Sequence, residues 1–548
     1  MIAFLGLSVG LFVTMVLLPP LVRVSGQMKL LDRPNARKVH SEPIPRVGGI
    51  AIFAGFLVPL VIWGPNDGIA PFFYIGGALI VLFGVADDRY SLNPALKLLG
   101  QALAILVVMI GGLHFEILPF FGFDPVSPWI AYPFTFVFIL GVTNALNLSD
   151  GLDGLAGGSA MVSLAGIALL SYTAGGPLVL LGAAALIGAI LGFLRFNTHP
   201  AVVFLGDSGS QFLGFSLACL SILLITDVNP ALNPALPFFL VGLPMLDTFS
   251  VIILRLRRRL SPFSADNRHL QHRFLALGFQ HHEAVSIIYF LQAVLVTLGL
   301  FTRYQSDSFV VALMLLFSFF VFGLLFAGEA TGWRLRALKP LSAVGAAGAP
   351  PNVERRNLTL RQWEQLPIVS AAVVYASVVA FLLFGTVFAN TPPRDVAIVS
   401  LGVVALTVFS QFFLRPWTRL FNRIGLYVLS LFVVYLIIPV TQASVWLDWT
   451  VNIYLFVLSC VLALAIRLTR RENFQMTPQD VLVLFFILAV PNLDLEIFAE
   501  FQVSTMVLRA AVLLYACEYI LSNESISFRP LRVAGFVGLI ILALRGLV

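Results

Sequence analysis

The stretch Asn144–Leu155, NALNLSDGLDGL, places two amides and two carboxylates, Asn144, Asn147, Asp150 and Asp153, each three residues from the next. Side chains at that spacing share part of a helix face, and Gly151 and Gly154 allow a turn or a close approach to a ligand. Taken alone, the stretch is either a capped polar helix end or a site for a cation and a polar ligand. Other stretches favour the site. GVADDRY ends an apolar run with Asp87 and Asp88, adjacent acids that repel and call for a divalent cation or an arginine. In FNTHPAVVFLGDSGS, Asp207 is either a helix cap or a further oxygen ligand, and Phe204 either packs or stacks on a base. Oxygen ligands of this kind select Mg2+, with Mn2+ able to substitute, over zinc.

Two basic stretches complement these acids. RKVHSEPIPRVGG carries Arg37, Lys38, His40 and Arg46 beside a glycine pair, which suits a phosphate ligand or reflects positive-inside bias. The run LRLRRRLSPFSADNRHLQHRFLALGFQHHEAV spaces His269 and His272 three apart, between Arg268 and Arg273, with Asp266 upstream. The arginines favour a diphosphate clamp there over a zinc pair. His281 and His282 read as the polar start of a helix, and Asp247, inside an apolar run, is a functional suspect by its position.

The elements that must position these residues are membrane helices. Of 548 residues 59% are hydrophobic and 11% charged, against about a quarter charged in soluble domains. The net charge of +6 sits in short loops, which argues for topology and against nucleic acid. Cys219, Cys460 and Cys517 fall in apolar runs without metal-ligand spacing and read as packing. Apolar runs near 1–22, 47–64, 70–86, 95–113, 128–147, 153–173, 177–195, 209–227, 234–254, 284–302 and 308–328 predict an all-α polytopic membrane protein with about eleven spans before residue 330. The first run lacks a basic start and a cleavage site, so it reads as a span and not a removed signal. Residues 331–366 predict a cytoplasmic linker, and 367–548 a C-terminal membrane domain of about seven spans, one near 480–492, with no polar constellation. Basic residues of the first loop put it inside and the N-terminus outside, which brings all the chemistry-bearing loops to the cytoplasmic face. Acids beside basic clamps describe phosphoryl-transfer machinery. With no soluble domain, one partner is expected to be a lipid in the bilayer. A transporter would explain Asp247 and the many spans, but not so many acids on one side.

GVADDRY, NALNLSDGLDGL, VVFLGDSGS and SPFSADNRHLQHRF, in this order, resemble the motifs of the polyprenyl-phosphate N-acetylhexosamine-1-phosphate transferases (glycosyltransferase family 4). The resemblance covers roughly residues 1–330, and RKVHSEPIPRVGG and DNRHLQHRF look more like the branch that starts O-antigen synthesis (WecA-like) than the peptidoglycan branch. It implies transfer of an N-acetylhexosamine 1-phosphate from a UDP-sugar, UDP-GlcNAc first, to undecaprenyl phosphate, with release of UMP. The phospho-N-acetylmuramoyl-pentapeptide transferase of peptidoglycan synthesis is the runner-up, followed by a lipid-linked sugar flippase. It further implies a multi-pass protein of the bacterial inner membrane, for which a homodimer is compatible. By motif, Asp207, Asp88 and Asp150 are the implied Mg2+ ligands; Asp87, Asp88, Asp150, Asp153, His269 and His272 the catalytic residues; and Lys38, His40, Arg46, Asn144, Asn147, Phe204, Arg268 and Arg273 the substrate contacts. Asp87 is the implied activator of the nucleophile. Two departures bear on sugar specificity: Ser91 stands where a third aspartate is usual, and Gln271 where a third histidine is usual.

Overall fold

A computed structural model describes residues 2–32, 42–121, 124–261, 268–336, 366–413, 418–468, 503–522 and 529–547. They form two compact units that divide near residue 338. In the first unit the helices are α1 (Ile2–Met28), α2 (Gly48–Trp63), α3 (Ala70–Tyr90), α4 (Pro94–Ile110), α5 (Pro128–Ser149), α6 (Leu155–Ala174), α7 (Pro177–Asn197), α8 (Gly206–Leu223), α9 (Leu236–Leu240), α10 (Gly242–Arg257), α11 (Leu270–Ala276), α12 (His281–Thr302) and α13 (Asp307–Ala330). A two-residue ladder pairs β1 (Leu31–Asp32) antiparallel with β2 (Ile44–Pro45). The chain is an all-α polytopic membrane protein. Among the described residues eleven helices are long and apolar enough to cross a membrane, and α2 and α4 are shorter apolar helices.

α8 is the axis of the first unit. Every residue from Ser208 to Leu223 is buried, as a helix that is apolar on all sides must be. α2, α3 and α5 pack around it, and its N-terminus carries Gly206 and Asp207. One of its polar side chains ties it to α4: Gln211 Oε1 accepts from Gln101 Nε2 at 2.8 Å.

The span expected over 234–254 is two helices, not one. Pro244 has no N–H to donate to the Leu240 carbonyl, so the ladder cannot run through. Gln292 of α12 fills the gap: its Nε2 donates to Leu240 O at 2.8 Å and its Oε1 accepts from Leu243 N at 3.1 Å. A broken helix survives at membrane depth only where its freed main chain is satisfied in this way. The break lets α10 run separately to Arg257 with Asp247 buried on it. Two residues of the stretch expected to be a linker bond to the first unit. Leu335 N donates to Leu277 O at 2.8 Å, and Arg336 clasps Glu283 at 2.6 and 2.9 Å; residues 337–365 lie outside the described residues.

In the second unit the described helices are Leu366–Phe388, Arg394–Phe413, Thr418–Gln442, Val445–Leu468, Val503–Ser522 and Arg529–Leu547. The run expected near 480–492 lies outside the described residues. This half does hold a polar constellation, contrary to its sequence reading. Arg509, 1% exposed, donates to Asp448 Oδ1 at 2.5 Å, to Asn452 Oδ1 at 2.8 and 3.1 Å, and to Thr441 Oγ1 at 3.2 Å. Its partners are some sixty residues away in sequence, so no local spacing announces the cluster. A buried guanidinium in an apolar unit persists only when every face is paired in this manner.

Gln292→Leu orphans one buried carbonyl and one buried N–H at the α9/α10 break. We expect a loss of about 1–3 kcal/mol for each group, read as a lower unfolding midpoint in mixed micelles, with Gln292→Glu retaining at most one of the two bonds.

Candidate active site

The end of α3 holds the start of α8. Asp88 Oδ1 accepts from Asp207 N at 3.0 Å and its Oδ2 from Ser208 N at 3.1 Å. One carboxylate thus satisfies two of the N–H groups left open at a helix start, and its charge suits the positive end of that helix. Asp207 is therefore capped and does not itself supply the cap. Gly206 makes this geometry possible. It adopts φ +74°, and a Cβ there would meet Asp88 Oδ2 at 2.6 Å.

The first loop docks onto the same helix start through main chain. Phe204 N donates to Pro45 O at 2.8 Å, Gly48 N to Phe204 O at 3.1 Å and Gly49 N to Leu205 O at 3.0 Å. A Cβ on Gly49 would lie 2.2 Å from Gly209 N, so only glycine permits this approach of α2 to α8. The docking carries Arg46 to Asp32, with which it makes a short ion pair, and to within 3.7 Å of Asp88 Oδ1. Lys38 and His40, expected to bind phosphate, lie outside the described residues.

Lys97 of α4 joins the acids of two helices, 3.0 Å from Asp87 Oδ2 and 3.0 Å from Asp207 Oδ1. Asn147 Nδ2 donates to Asp207 Oδ1 at 2.6 Å and to Ser210 Oγ at 2.7 Å. Asn144, expected beside it as a substrate contact, instead donates to Gln101 Oε1 at 2.9 Å and to Leu140 O at 2.9 Å. Lying one turn deeper along α5, it does not line the cavity and instead braces Gln101 of α4, which in turn meets Gln211 of α8. Asp87 is also set back. Its Oδ1 accepts from Leu92 N at 2.9 Å, and it lies beside Asp207, with Lys97 bridging the two.

A cavity of about 870 Å³ opens in front of these residues, lined by Arg46, Asp88, Asn147, Asp150, Phe204 and Asp207 among others. Asp150, where α5 ends, is pushed up to about 7 by burial first and then by the charges of Asp207, Asp88 and Asp153, partly offset by Arg46. Asp153 sits in the following turn, its Oδ2 2.7 Å from His199 Nδ1 and accepting from Ala201 N at 3.1 Å. That turn is fixed at Gly154, whose N–H donates to Asn197 Oδ1 at 2.8 Å and whose carbonyl accepts from Tyr289 Oη at 2.6 Å.

The histidine stretch divides its members. His272 lines the cavity, and burial together with His269 holds its imidazole below the ordinary range. His269 is buried away from the cavity wall, its Nδ1 2.8 Å from Asp247 Oδ2, while Leu270 N donates to Asp247 Oδ1 at 2.9 Å. Arg273 clasps Glu329 at 2.7 and 3.1 Å and does not line the cavity. Arg268 is half-buried and likewise not among the lining residues. Gln271 lies on the turn after α5, its Nε2 3.4 Å from Leu148 O. Ser91 ends α3 in a left-handed conformation, φ 51°, donating its N–H to Asp87 O at 2.8 Å.

Sequence reasoning missed Lys97, Gln101, His199 and the cavity role of His281. Lys97 stands ten residues from Asp87 in an apolar helix, where a lone lysine was the only available signal.

Among the described residues, the cavity wall carries six carboxylates (Asp32, Glu42, Asp88, Asp150, Asp153, Asp207) and one guanidinium, Arg46. A concentration of negative charge beside a basic residue can bind a divalent cation and the phosphates it bridges. The family model for glycosyl transferase family 4 matches residues 70–225, the segment holding Asp87 through Asp207. The chain is 34% identical over 338 residues to a probable undecaprenyl-phosphate N-acetylglucosaminyl 1-phosphate transferase of Bacillus subtilis, covering 61% of this chain and 93% of that protein. The chain belongs to glycosyl transferase family 4. Other members of the family similar to it are the undecaprenyl-phosphate alpha-N-acetylglucosaminyl 1-phosphate transferases of Escherichia coli K12, at 29% over 310 residues (55% of this chain, 84% of that protein), and of Yersinia pestis, at 31% over 317 residues (55% and 85%).

Gly206→Ala forces a side chain into a left-handed backbone and against Asp88. We expect a loss of about 2 kcal/mol or more, seen as a lower melting temperature in detergent.

Proposed function

We propose that the chain transfers N-acetylglucosamine 1-phosphate from UDP-GlcNAc to undecaprenyl phosphate, releasing UMP and forming the first lipid-linked intermediate of a cell-surface polysaccharide. The observation that carries the reading is the acid-lined cavity in front of Asp207, to which the segment matched by the family contributes Asp88, Asn147, Asp150, Asp153, Phe204 and Asp207. The relatives, transferases of N-acetylglucosaminyl 1-phosphate to undecaprenyl phosphate, support the sugar and the lipid acceptor over the pentapeptide substrate of peptidoglycan synthesis.

The donor set fits Mg2+. Asp207 and Asp150 are carboxylates facing the cavity, and Asp150 is raised by burial first and then by its acidic neighbours, whose charge a divalent cation relieves. Asp88 is the weakest of the three expected ligands, because each of its oxygens already accepts a main-chain N–H. A bound Mg2+ supplies charge neutralisation between two anionic reactants. Phe204 on the cavity wall is suited to stack on uracil, and Arg46 and His272 to contact phosphate oxygens.

The lipid phosphate needs no general base, because its second pKa is near 6 and it is mostly dianionic at neutral pH. One of its oxygens attacks the β-phosphorus of the UDP-sugar in line. The new P–O bond forms as the bond from the β-phosphorus to the bridging oxygen breaks, and UMP leaves with that oxygen. A double displacement through Asp87 is disfavoured by its partners: with Lys97 and Leu92 N holding its oxygens, it is a poor nucleophile. Its role in this scheme is to hold Lys97, and through it Asp207.

Positive-inside bias supports a bacterial inner-membrane location with the N-terminus outside and the cavity facing the cytoplasm. All the site residues come from one chain, so a homodimer is compatible with the reaction and not required by it.

Purified full-length protein with undecaprenyl phosphate, Mg2+ and UDP-GlcNAc is expected to release UMP in a lipid-dependent manner, with UDP-GalNAc and UDP-MurNAc-pentapeptide as comparison donors. Asp207→Asn should cut turnover by about 10²–10³-fold. No UMP from any donor would overturn the reading, and release from the pentapeptide donor alone would replace it. Lys97→Met leaves Asp87 and Asp207 facing each other uncompensated, and should enlarge the melting-temperature gain on adding Mg2+ relative to the parent protein.

A further inference from the structure

Asp153, His199 and His281 come from three separate elements: the turn after α5, the loop after α7 and the first residue of α12. One ligand atom from each lies within 4.8 Å of the others. His199 Nδ1 is 2.7 Å from Asp153 Oδ2, and the two imidazoles stack with centroids 4.2 Å apart and planes 22° from parallel. His281 Nε2 is 3.2 Å from the Asp153 carbonyl. All three residues line the cavity.

This group differs in kind from the acids around Asp207. Those offer oxygen alone, whereas here two imidazole nitrogens join one carboxylate. Nitrogen-rich sites select zinc-class transition metals over Mg2+. Ligand atoms of a tetrahedral zinc centre with Zn–N near 2.0–2.1 Å stand about 3.3 Å apart, so these atoms, now within 4.8 Å, meet one ion once the two rings turn out of their stack and His281 Nε2 leaves the Asp153 carbonyl. The anchoring is in place: Asn197 and Tyr289 hold the main chain at Gly154, next to Asp153, and a capping box between Gln280 and Glu283 sets the start of α12 at His281. Three protein ligands leave a fourth position open to the cavity.

We propose that Asp153, His199 and His281 form a second cation site that binds a zinc-class metal and is distinct from the Mg2+ site at Asp207 and Asp150. The cavity then sorts two cations by ligand chemistry, nitrogen-bearing at one place on its wall and oxygen-only at the other.

Co2+ is the probe, because its visible absorption reports nitrogen ligation and low coordination number directly and requires no turnover. The full-length protein in detergent, with Mg2+ in excess, is titrated with Co2+ and then with Zn2+ as competitor. The expected result is a visible band from one bound Co2+ that Zn2+ removes. His199→Ala and His281→Ala should each weaken Co2+ binding at least about tenfold, and Asp207→Ala should leave it in place. A band that survives both histidine changes, or one lost with Asp207→Ala alone, overturns the assignment. So does the lack of any visible band in the unaltered protein, which keeps the test decisive even where a histidine variant fails to fold.

Discussion

One carboxylate at the end of a membrane helix governs the geometry of this site. Asp88 spends both oxygens on the first main-chain N–H groups of α8, and α8 is the helix against which the first unit packs. That bond ties the end of α3 to the start of the axial helix and leaves Asp207 projecting beside it. The same contact leaves no room for a side chain at Gly206. The small residues of GDSGS are thus a consequence of close main-chain approach as much as of any ligand.

Around this contact the acids are arranged in two ranks. Asp207 and Asp150 face the cavity, while Asp87 stands behind, joined to Asp207 through Lys97. Asn144, Gln101 and Gln211 form a further amide row linking α5, α4 and α8. In an apolar surrounding such polar groups hold together because the alternative is an unpaired group in hydrocarbon. The rear rank therefore fixes the helices, and the front rank carries more acid than Lys97 and Arg46 offset, which leaves charge for a cation or a substrate to neutralise.

The histidine loop follows the same division of labour. His269 is turned inward to Asp247, and Arg273 outward to Glu329, so that α11 is held at both ends and His272 alone is presented to the cavity. Asp247 reaches His269 because α10 is separated from α9 by Pro244, with Gln292 closing the gap. A break in a span and a histidine contact far from it in sequence are thus parts of one arrangement.

The sequence by itself determined the class of the molecule and the identity of its chemistry. Long apolar runs leave no alternative to membrane helices, and three acidic or amide-rich motifs followed by a histidine- and arginine-bearing one, in order, mark the family. It also singled out Arg46, Asp88, Asn147, Asp150, Asp153, Phe204, Asp207 and His272, which line one cavity because they stand at or near helix ends that meet on one side. What the tertiary structure decided is which members of each motif face that cavity. Asn144 and Asn147 differ by three residues, as do His269 and His272, yet in each pair one faces the site and one faces a neighbouring helix. That choice depends on helix rotation and on partners far away in the chain, such as Gln101 and Asp247. Lys97 with Asp207, His199 with Asp153 and the Arg509 cluster share this origin: these partners lie from 46 to 110 residues apart, and no local spacing carries that information.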